Sequence, residues 1–220
     1  MPPRSDLETV KVLSIATTHP KFDGDSEPHY VSALNRELVG RGHSVTALVP
    51  HAPDVALEEV LDGVRVRRFR YFRPVSAQRL CYNGGILPNL KRSWLARVNL
   101  PFFVAAQAGA VAREVVLGDY AIIHCHWLIT SGFMGVLVGG PAGVPVIVTA
   151  HGSDVFTDNP LFKTLDRWVL ARCCVCTVNS RRSGALVSRL CSNARIEPVP
   201  MGVNPDRFGP HLASTAVRER

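Results

Sequence analysis

The chain of 220 residues has no G-x-G-x-x-G fingerprint, no regular cysteine spacing, no internal repeat and no low-complexity stretch. The missing fingerprint weighs against a dinucleotide-binding domain, which needs those glycines for its backbone to approach a pyrophosphate. The six cysteines (Cys81, Cys125, Cys173, Cys174, Cys176 and Cys191) lie mostly in apolar runs, so a disulfide framework is excluded and a reducing cytoplasm is expected. The start of the chain carries Asp6 and Glu8 ahead of a short apolar run, unlike the basic-then-apolar layout of a secretion signal. The longest stretch of low polarity, residues 133–150, is broken by Gly135, Gly139, Gly140, Pro141, Gly143 and Pro145. It therefore reads as a helix end, a turn and a strand rather than a membrane span. Acidic residues are absent between Asp62 and Glu114.

The hydrophobic share is 46% and the charged share 20%, close to the globular average, which excludes disordered, collagenous and coiled-coil chains. A compact domain of this size buries roughly 70% of the surface of its unfolded chain, enough for one sizeable core without metal or disulfides. The formal charge of +7 favours acidic, phosphorylated or anionic partners.

Apolar, β-branched runs at residues 10–16, 44–49, 121–124, 146–149 and 174–178 read as strands, most of them buried and parallel. Residues 64–69 alternate apolar with arginine, as a half-exposed or edge strand would, and residues 195–199 read as a last strand. Helical spacing places helices at 27–41, 100–117, 129–138, 161–171 and 180–191. Strand and helix alternate, so the fold class is α/β: a Rossmann-like, doubly wound, mostly parallel sheet. The expected domain is residues 1–208, followed by a polar linker or truncated tail at 209–220, after which a further domain is expected.

Ligands of such a sheet sit beyond the carboxyl ends of its strands. After the first strand come His19 and, ahead of the helix, Gly24 and Asp25; Gly24 allows close approach of the backbone, and the helix N-terminus favours an anion. Asp25 or Ser26 equally serves as an ordinary helix cap there. At His124-Cys125-His126-Trp127 side chains alternate, so both histidines share one face while Cys125 faces the other. That argues against a metal site, and none is expected. His126 and Trp127 are left between ligand lining and packing. Strand 146–149 runs straight into Ala150-His151-Gly152-Ser153-Asp154, where the imidazole can donate to a hydroxyl or phosphate oxygen and Ser153 or Asp154 can cap or orient. Asn179 and Ser180 read as a helix N-cap.

The acid-free segment carries Arg65, Arg67, Arg68, Arg70, Arg73, Arg79, Lys91, Arg92, Arg97 and Arg113, interleaved with Tyr71, Phe72, Tyr82, Trp94, Phe102 and Phe103. It suits an anionic membrane surface or an anionic acceptor, or it is a solvated basic face around a loop at 74–88. Nucleic acid suits the same charge but is not expected as a partner.

Taken together, the chain resembles the N-terminal, acceptor-side domain of family 4 glycosyltransferases, enzymes of the two-domain GT-B architecture. The resemblance spans about residues 10–208. It rests on Gly24-Asp25, Arg41-Gly42-His43-Ser44-Val45, His124-Cys125-His126-Trp127, Thr149-Ala150-His151-Gly152-Ser153-Asp154 and Pro200-Met201-Gly202-Val203-Asn204-Pro205-Asp206-Arg207-Phe208. It implies retaining transfer of a sugar from a nucleotide-sugar donor to a glycan or lipid-linked acceptor, as in polysaccharide biosynthesis, with no cofactor and no metal. By the resemblance His151 is the catalytic contact to the transferring sugar. Gly24, Asp25, Gly152, Ser153 and Asp154 lie toward the donor's phosphate or sugar, and His126, Trp127 and His19 toward the acceptor. Many members carry two adjacent glycines where this chain has Gly24-Asp25, and a carboxylate there repels a diphosphate unless it turns away. A donor-binding C-terminal domain is the implied partner, without which the chain is expected to be inactive. The expected location is the cytoplasm, peripheral to the inner membrane face. The alternative is a non-catalytic module of the same fold that holds a glycan, a lipid or a partner.

Overall fold

The structure, a computed structural model, describes residues 8–22, 25 and 30–202. Strand β1 (Lys11–Ile15) leads to helix α1 (Tyr30–Gly40) and β2 (Ser44–Pro50), the expected βαβ unit. Next come β3 (Glu58–Leu61), β4 (Val64–Phe69), α2 (Ile86–Arg92), α3 (Trp94–Gly118) and β5 (Ile122–His126). A turn at Leu128–Gly132, in which Ile129 and Thr130 are not helical although a helix was expected from residue 129, and a wide helical turn at Gly135–Gly139 precede β6 (Val146–Ala150), α4 (Pro160–Leu170), β7 (Val175–Val178), α5 (Arg181–Leu190) and β8 (Ile196–Pro198). The eight strands lie in the order β3-β4-β2-β1-β5-β6-β7-β8, all parallel except β3, which runs against β4. The Rossmann-like, doubly wound α/β class is thus what the chain adopts. The expected boundary near Phe208 and the tail beyond it lie outside the described residues.

Apolar side chains of the sheet divide between two faces. Val12, Val45, Ala47, Val49, Val64 and Val66 meet Val31 of α1 on one side. Leu13, Ile15, Leu48, Ile123, Cys125, Val148 and Cys176 face the other, with Phe103 and Val111 of α3 and Val169 of α4. The period of two along each strand sends alternate residues to opposite layers, so central strands must be apolar throughout. Gly135 brings its turn directly onto the sheet: a Cβ there would lie 2.3 Å from the Cys125 sulfur. Ser180 caps α5 as its position predicts, its hydroxyl accepting the Ser183 N–H at 3.1 Å.

Three elements depart from expectation. The first is β4, which is an inner strand, because β3 pairs with it through a tight Asp62-Gly63 turn in which both residues have positive φ. Second, part of the segment expected as a loop is helix α2, entered through Gly85. Third, α3 starts at Trp94 instead of Leu100, since Ser93 supplies its cap by accepting the Ala96 N–H, and Pro101 lies inside the helix.

The β3 hairpin also alters the basic flank. Arg67 donates to both oxygens of buried Glu114, at 2.8 and 3.0 Å, and Tyr120 donates to the same carboxylate at 2.7 Å. Arg68 is buried, paired with Glu59 and donating to the Ala56 carbonyl at 2.8 Å. Those two arginines are structural. The others of the acid-free segment, Arg65, Arg70, Arg73, Arg79, Lys91, Arg92, Arg97 and Arg113, stay exposed.

Candidate functional site

The carboxyl ends of β5 and β6 meet in a corner of aromatic and imidazole rings. His124 and His126 project from the same face of β5, ring centroids 4.5 Å apart. His124 Nε2 lies 2.8 Å from the Thr149 hydroxyl, which lies 2.7 Å from that of Thr177, so a polar row crosses three parallel strands. His151 follows β6, and its Nε2 is 3.1 Å from Nδ1 of buried His126. The sequence placed His126 and His151 on separate strand ends; the register His126↔Thr149 brings them together.

Three further rings enclose or flank His151. Its centroid is 4.8 Å from that of Trp127, 4.9 Å from Tyr30 and 5.4 Å from His126. Tyr30 was legible in the sequence only as an apolar helix position. It stands in the first turn of α1, where Cβ atoms tilt toward the helix N-terminus and so toward the strand ends. That tilt is the signal that could have pointed to it. Trp127 adopts φ +71° and Thr130 φ +66°, conformations that non-glycine residues hold only when surrounding structure enforces them.

Asp154 supplies that enforcement. Its buried carboxylate accepts the Leu128 N–H at 3.1 Å and the Gly152 N–H at 2.9 Å, tying the turn after β5 to the turn after β6. Gly152 has φ +104°, and a Cβ there would press 3.2 Å from the Phe156 ring. Its N–H is committed to Asp154, so among Gly152, Ser153 and Asp154 only Ser153 presents an exposed side chain. Asp25 likewise turns inward, accepting the Lys21 N–H at 2.9 Å with the Lys21 ammonium at 3.8 Å. This answers the charge that would otherwise repel a diphosphate. His19 is buried at the end of β1, its Nδ1–H donating to the Pro20 carbonyl at 2.9 Å. Gly24 lies outside the described residues. His43 belongs to the other end of the sheet, where its Nδ1 accepts the Val10 N–H at 3.3 Å.

The three imidazoles of the corner are uncharged at physiological pH. Burial, with help from His124, pushes His151 down to about 4, and burial alone pushes His124 to about 4. Burial and its two imidazole neighbours hold His126 well below the usual range. His151 is therefore no proton source at pH 7; it works as an uncharged hydrogen-bonding group. We assign His126 Nδ1–H as donor to His151 Nε2, because the Nε2 of His126 has no partner among the described residues and a bare lone pair is cheaper to bury than an N–H. His151 then keeps an Nδ1–H to offer a ligand. Below the corner, Asp166 of α4 is fully buried with neither oxygen partnered; burial first, then the charge of Asp154, raises it to about 7. Burial also raises Asp154, against the pull of the backbone N–H groups it accepts from. Among the described residues no group of three His, Cys, Asp or Glu side chains is arranged to hold a metal ion.

The fold is that of one lobe of the GT-B architecture. Over 90% of this chain and 92% of the other, it superposes on a sucrose-phosphate synthase structure from Thermosynechococcus elongatus with a TM-score of 0.62 at 18% identity. A UDP-forming α,α-trehalose-phosphate synthase from Burkholderia xenovorans, in complex with glucose-6-phosphate, gives 0.60 at 13% identity over 90% of this chain and 51% of that one. UDP-N-acetylglucosamine 2-epimerase from Rickettsia bellii gives 0.54 at 9% identity, over 96% of this chain and 51% of that one. The chain thus spans about half the length of the latter two, and an epimerase among them shows that the fold alone names no reaction. No curated protein matches it in sequence. The family model does: Glycosyltransferase Family 4 matches residues 29–207, and the chain belongs to that family.

Proposed function

We propose that this chain is the acceptor-side lobe of a retaining, metal-independent glycosyltransferase, which transfers a sugar from a nucleotide-sugar donor held by a companion lobe. The bond from the anomeric carbon to the diphosphate breaks, a bond to the acceptor oxygen forms on the same face, and the acceptor's proton leaves with the diphosphate. The observation that carries the reading is the uncharged His151, held by His126 and packed between Tyr30 and Trp127 at the carboxyl edge of the sheet. Its Nδ1–H and the Ser153 hydroxyl contact the transferring sugar and the leaving phosphate, and fixed donors of this kind stabilise charge that develops in the transition state. Asp154 and Gly152 hold that loop in place; Asp25 does the same for the loop after β1. Trp127 lines the acceptor side, while the buried His126 and His19 act from behind it, His126 by holding His151 and His19 by fixing the end of β1.

The test joins this chain to a nucleotide-sugar-binding domain of the same family and follows sugar transfer and donor hydrolysis. Transfer that collapses in His151→Ala at an unchanged unfolding midpoint supports the reading. A fused protein that binds glycans but transfers nothing would make the chain a binding module.

The same lobe has a surface suited to an anionic bilayer. Helix α3 is long and apolar enough to cross a membrane, yet only 22% of its most apolar window is buried. Its inner side packs Phe103, Gln107, Val111 and Glu114 against the sheet, so it covers the core and does not span. Its outer side exposes Trp94 by 73% and Phe102 by 53%, with Val98 between them and Lys91, Arg92 and Arg97 alongside. Aromatic and basic side chains together are what an anionic interface attracts. Sedimentation with phosphatidylglycerol vesicles should exceed that with phosphatidylcholine vesicles several-fold, and Trp94→Ser should reduce it. Equal weak binding to both would remove the membrane seat.

A further inference from the structure

Helix α4 is packed closely onto the turn after β5. Gly132 of that turn sits against Val169 of the helix: an added Cβ would come within 3.3 Å of a Val169 methyl and 3.0 Å of the Trp127 carbonyl oxygen. One residue on, the Phe133 ring meets Trp168 with centroids 5.1 Å apart. Asp166 lies three residues before Val169 and so on the same helical face. Like Val169 it is fully buried, and neither of its carboxylate oxygens has a partner among the described residues. The Ser131 hydroxyl of the turn is buried and unpartnered too. A carboxyl group thus stands inside a tight joint with nothing to satisfy a charge.

Among the described residues no cation faces it. The turn at 128–132 and strand β6 carry no ionisable side chain, and on α4 itself Lys163 pairs with Asp158 while Arg167 is exposed. On α5 the inward residues are Ser183 and Val187, with Arg181, Arg182 and Arg189 exposed. Two groups bear on Asp166 electrostatically: the Asp154 carboxylate of the turn after β6, and the Cys176 thiol of β7, which burial keeps protonated. Burial first, then the Asp154 charge, raises Asp166 to about 7. Asp154 is also the strap that accepts the Leu128 and Gly152 N–H groups. Leu128 directly follows Trp127, whose φ of +71° must be held by its surroundings. A second negative charge below therefore acts on the same carboxylate that keeps Trp127 and the His151 loop in place.

We propose that Asp166 is a proton-operated latch for the histidine corner: uncharged, it lets α4 seat on the turn after β5, and ionised, it lifts that seat and loosens Trp127 and His151. The charged form is accommodated only where water reaches it, and that requires the joint to open. The latch is closed in acid and opens as pH rises through neutrality. The three imidazoles titrate well below that range and stay uncharged throughout it. As a control on transfer the latch rests on the reading above; as a movement of the corner it stands on the joint alone.

The experiment labels the 220-residue chain with 5-fluorotryptophan and follows its fluorine resonances from about pH 5.5 to about pH 8.5. The Trp127 signal, assigned by its loss in Trp127→Phe, should shift or broaden with a midpoint of about 7, while the signal of exposed Trp94 should not. In Asp166→Asn and in Asp166→Leu the Trp127 signal should stay still over the same range. A parent Trp127 signal that does not titrate, or a titration that survives both substitutions, overturns the latch. In the joined enzyme kcat should fall about tenfold from about pH 6 to about pH 8, following the protonated fraction of Asp166, with the donor KM little changed. Both substitutions should level that fall. A fluorine titration that vanishes in the variants while their transfer keeps the same fall overturns the control on transfer alone. A joined enzyme that transfers nothing counts against the transfer reading, and the fluorine result still decides the latch.

Discussion

The wing formed by β3, β4 and α3 and the corner formed by β5, β6 and α4 both bury ionisable side chains, and they differ in how those are answered. In the wing each buried charge has an ionic or hydrogen-bonded counterpart, Arg67 with Glu114 and Glu58, Arg68 with Glu59 and the Ala56 carbonyl, Tyr120 with Glu114, although Arg68 Nε and Nη2 and the Gln107 amide of α3 have no partner among the described residues. In the corner no opposite charge is supplied: His126 Nε2, the Ser131 hydroxyl and both Asp166 oxygens have no partner among the described residues, and three imidazoles are held uncharged. Paired groups hold a shape, whereas unpaired ones weaken it and persist where the site itself needs them. The ion pairs of the wing are scaffold, and the uncharged imidazoles of the corner are the groups proposed for chemistry.

Four measurements press on that contrast. His151→Ala in the joined enzyme should lower the transfer rate by roughly 10²–10³-fold, about 3–4 kcal/mol of transition-state stabilisation, while moving stability little. Glu114→Ala should do the reverse: urea unfolding of the chain should show a loss of roughly 2–3 kcal/mol, because it strands Arg67 and Tyr120 together. A Glu114→Ala protein as stable as its parent would mean that the wing's pairs are ornamental.

The third measurement is of pH. Asp166 is raised to about 7, so the unfolded chain releases its proton first as pH rises, and stability is lost between about pH 4 and 7. Asp166→Asn abolishes that loss, and its unfolding free energy relative to the parent should improve by roughly 1–3 kcal/mol from pH 5 to pH 8. The histidines pull the other way. Their folded values lie below 6.5, so the unfolded chain takes up protons first and stability falls as pH drops from about 6.5 toward 4. His124→Asn should remove part of the histidine contribution over that range while leaving the opposing Asp166 contribution unchanged. Smallest is the cap: Ser93→Ala should cost about 1 kcal/mol in thermal unfolding, by freeing the Ala96 N–H at the start of α3.

Legibility in the sequence followed the strength of local pattern. Buried parallel strands announced themselves as apolar runs, and the first βαβ unit was evident from Gly42 and the spacing of α1. Strand β3, with Glu58 and Glu59 in its four residues, has no such run; its stability comes from pairing with β4 and from the arginines that its glutamates meet. The Asp62-Gly63 dipeptide between two short extended segments was the available hairpin signal. Helix α2 was masked by Gly84, Gly85 and Pro88. At the site, His126, Trp127, His151 and Asp154 stood out as polar tips of buried strands, but the role of Asp154 as a strap between two turns did not. Nor did Tyr30, whose significance depends on the His151 ring it packs against.

The sequence by itself determined the α/β alternation, the strands of the sheet's centre and the identity of the polar residues beyond their ends, because hydrophobic period and β-branching act over a few neighbouring residues. Tertiary structure alone decided which of those polar groups meet. Strand order and register set His126 against His151 and buried the charges of Arg67 and Arg68, since pairing across a sheet depends on distances in space that no local pattern encodes.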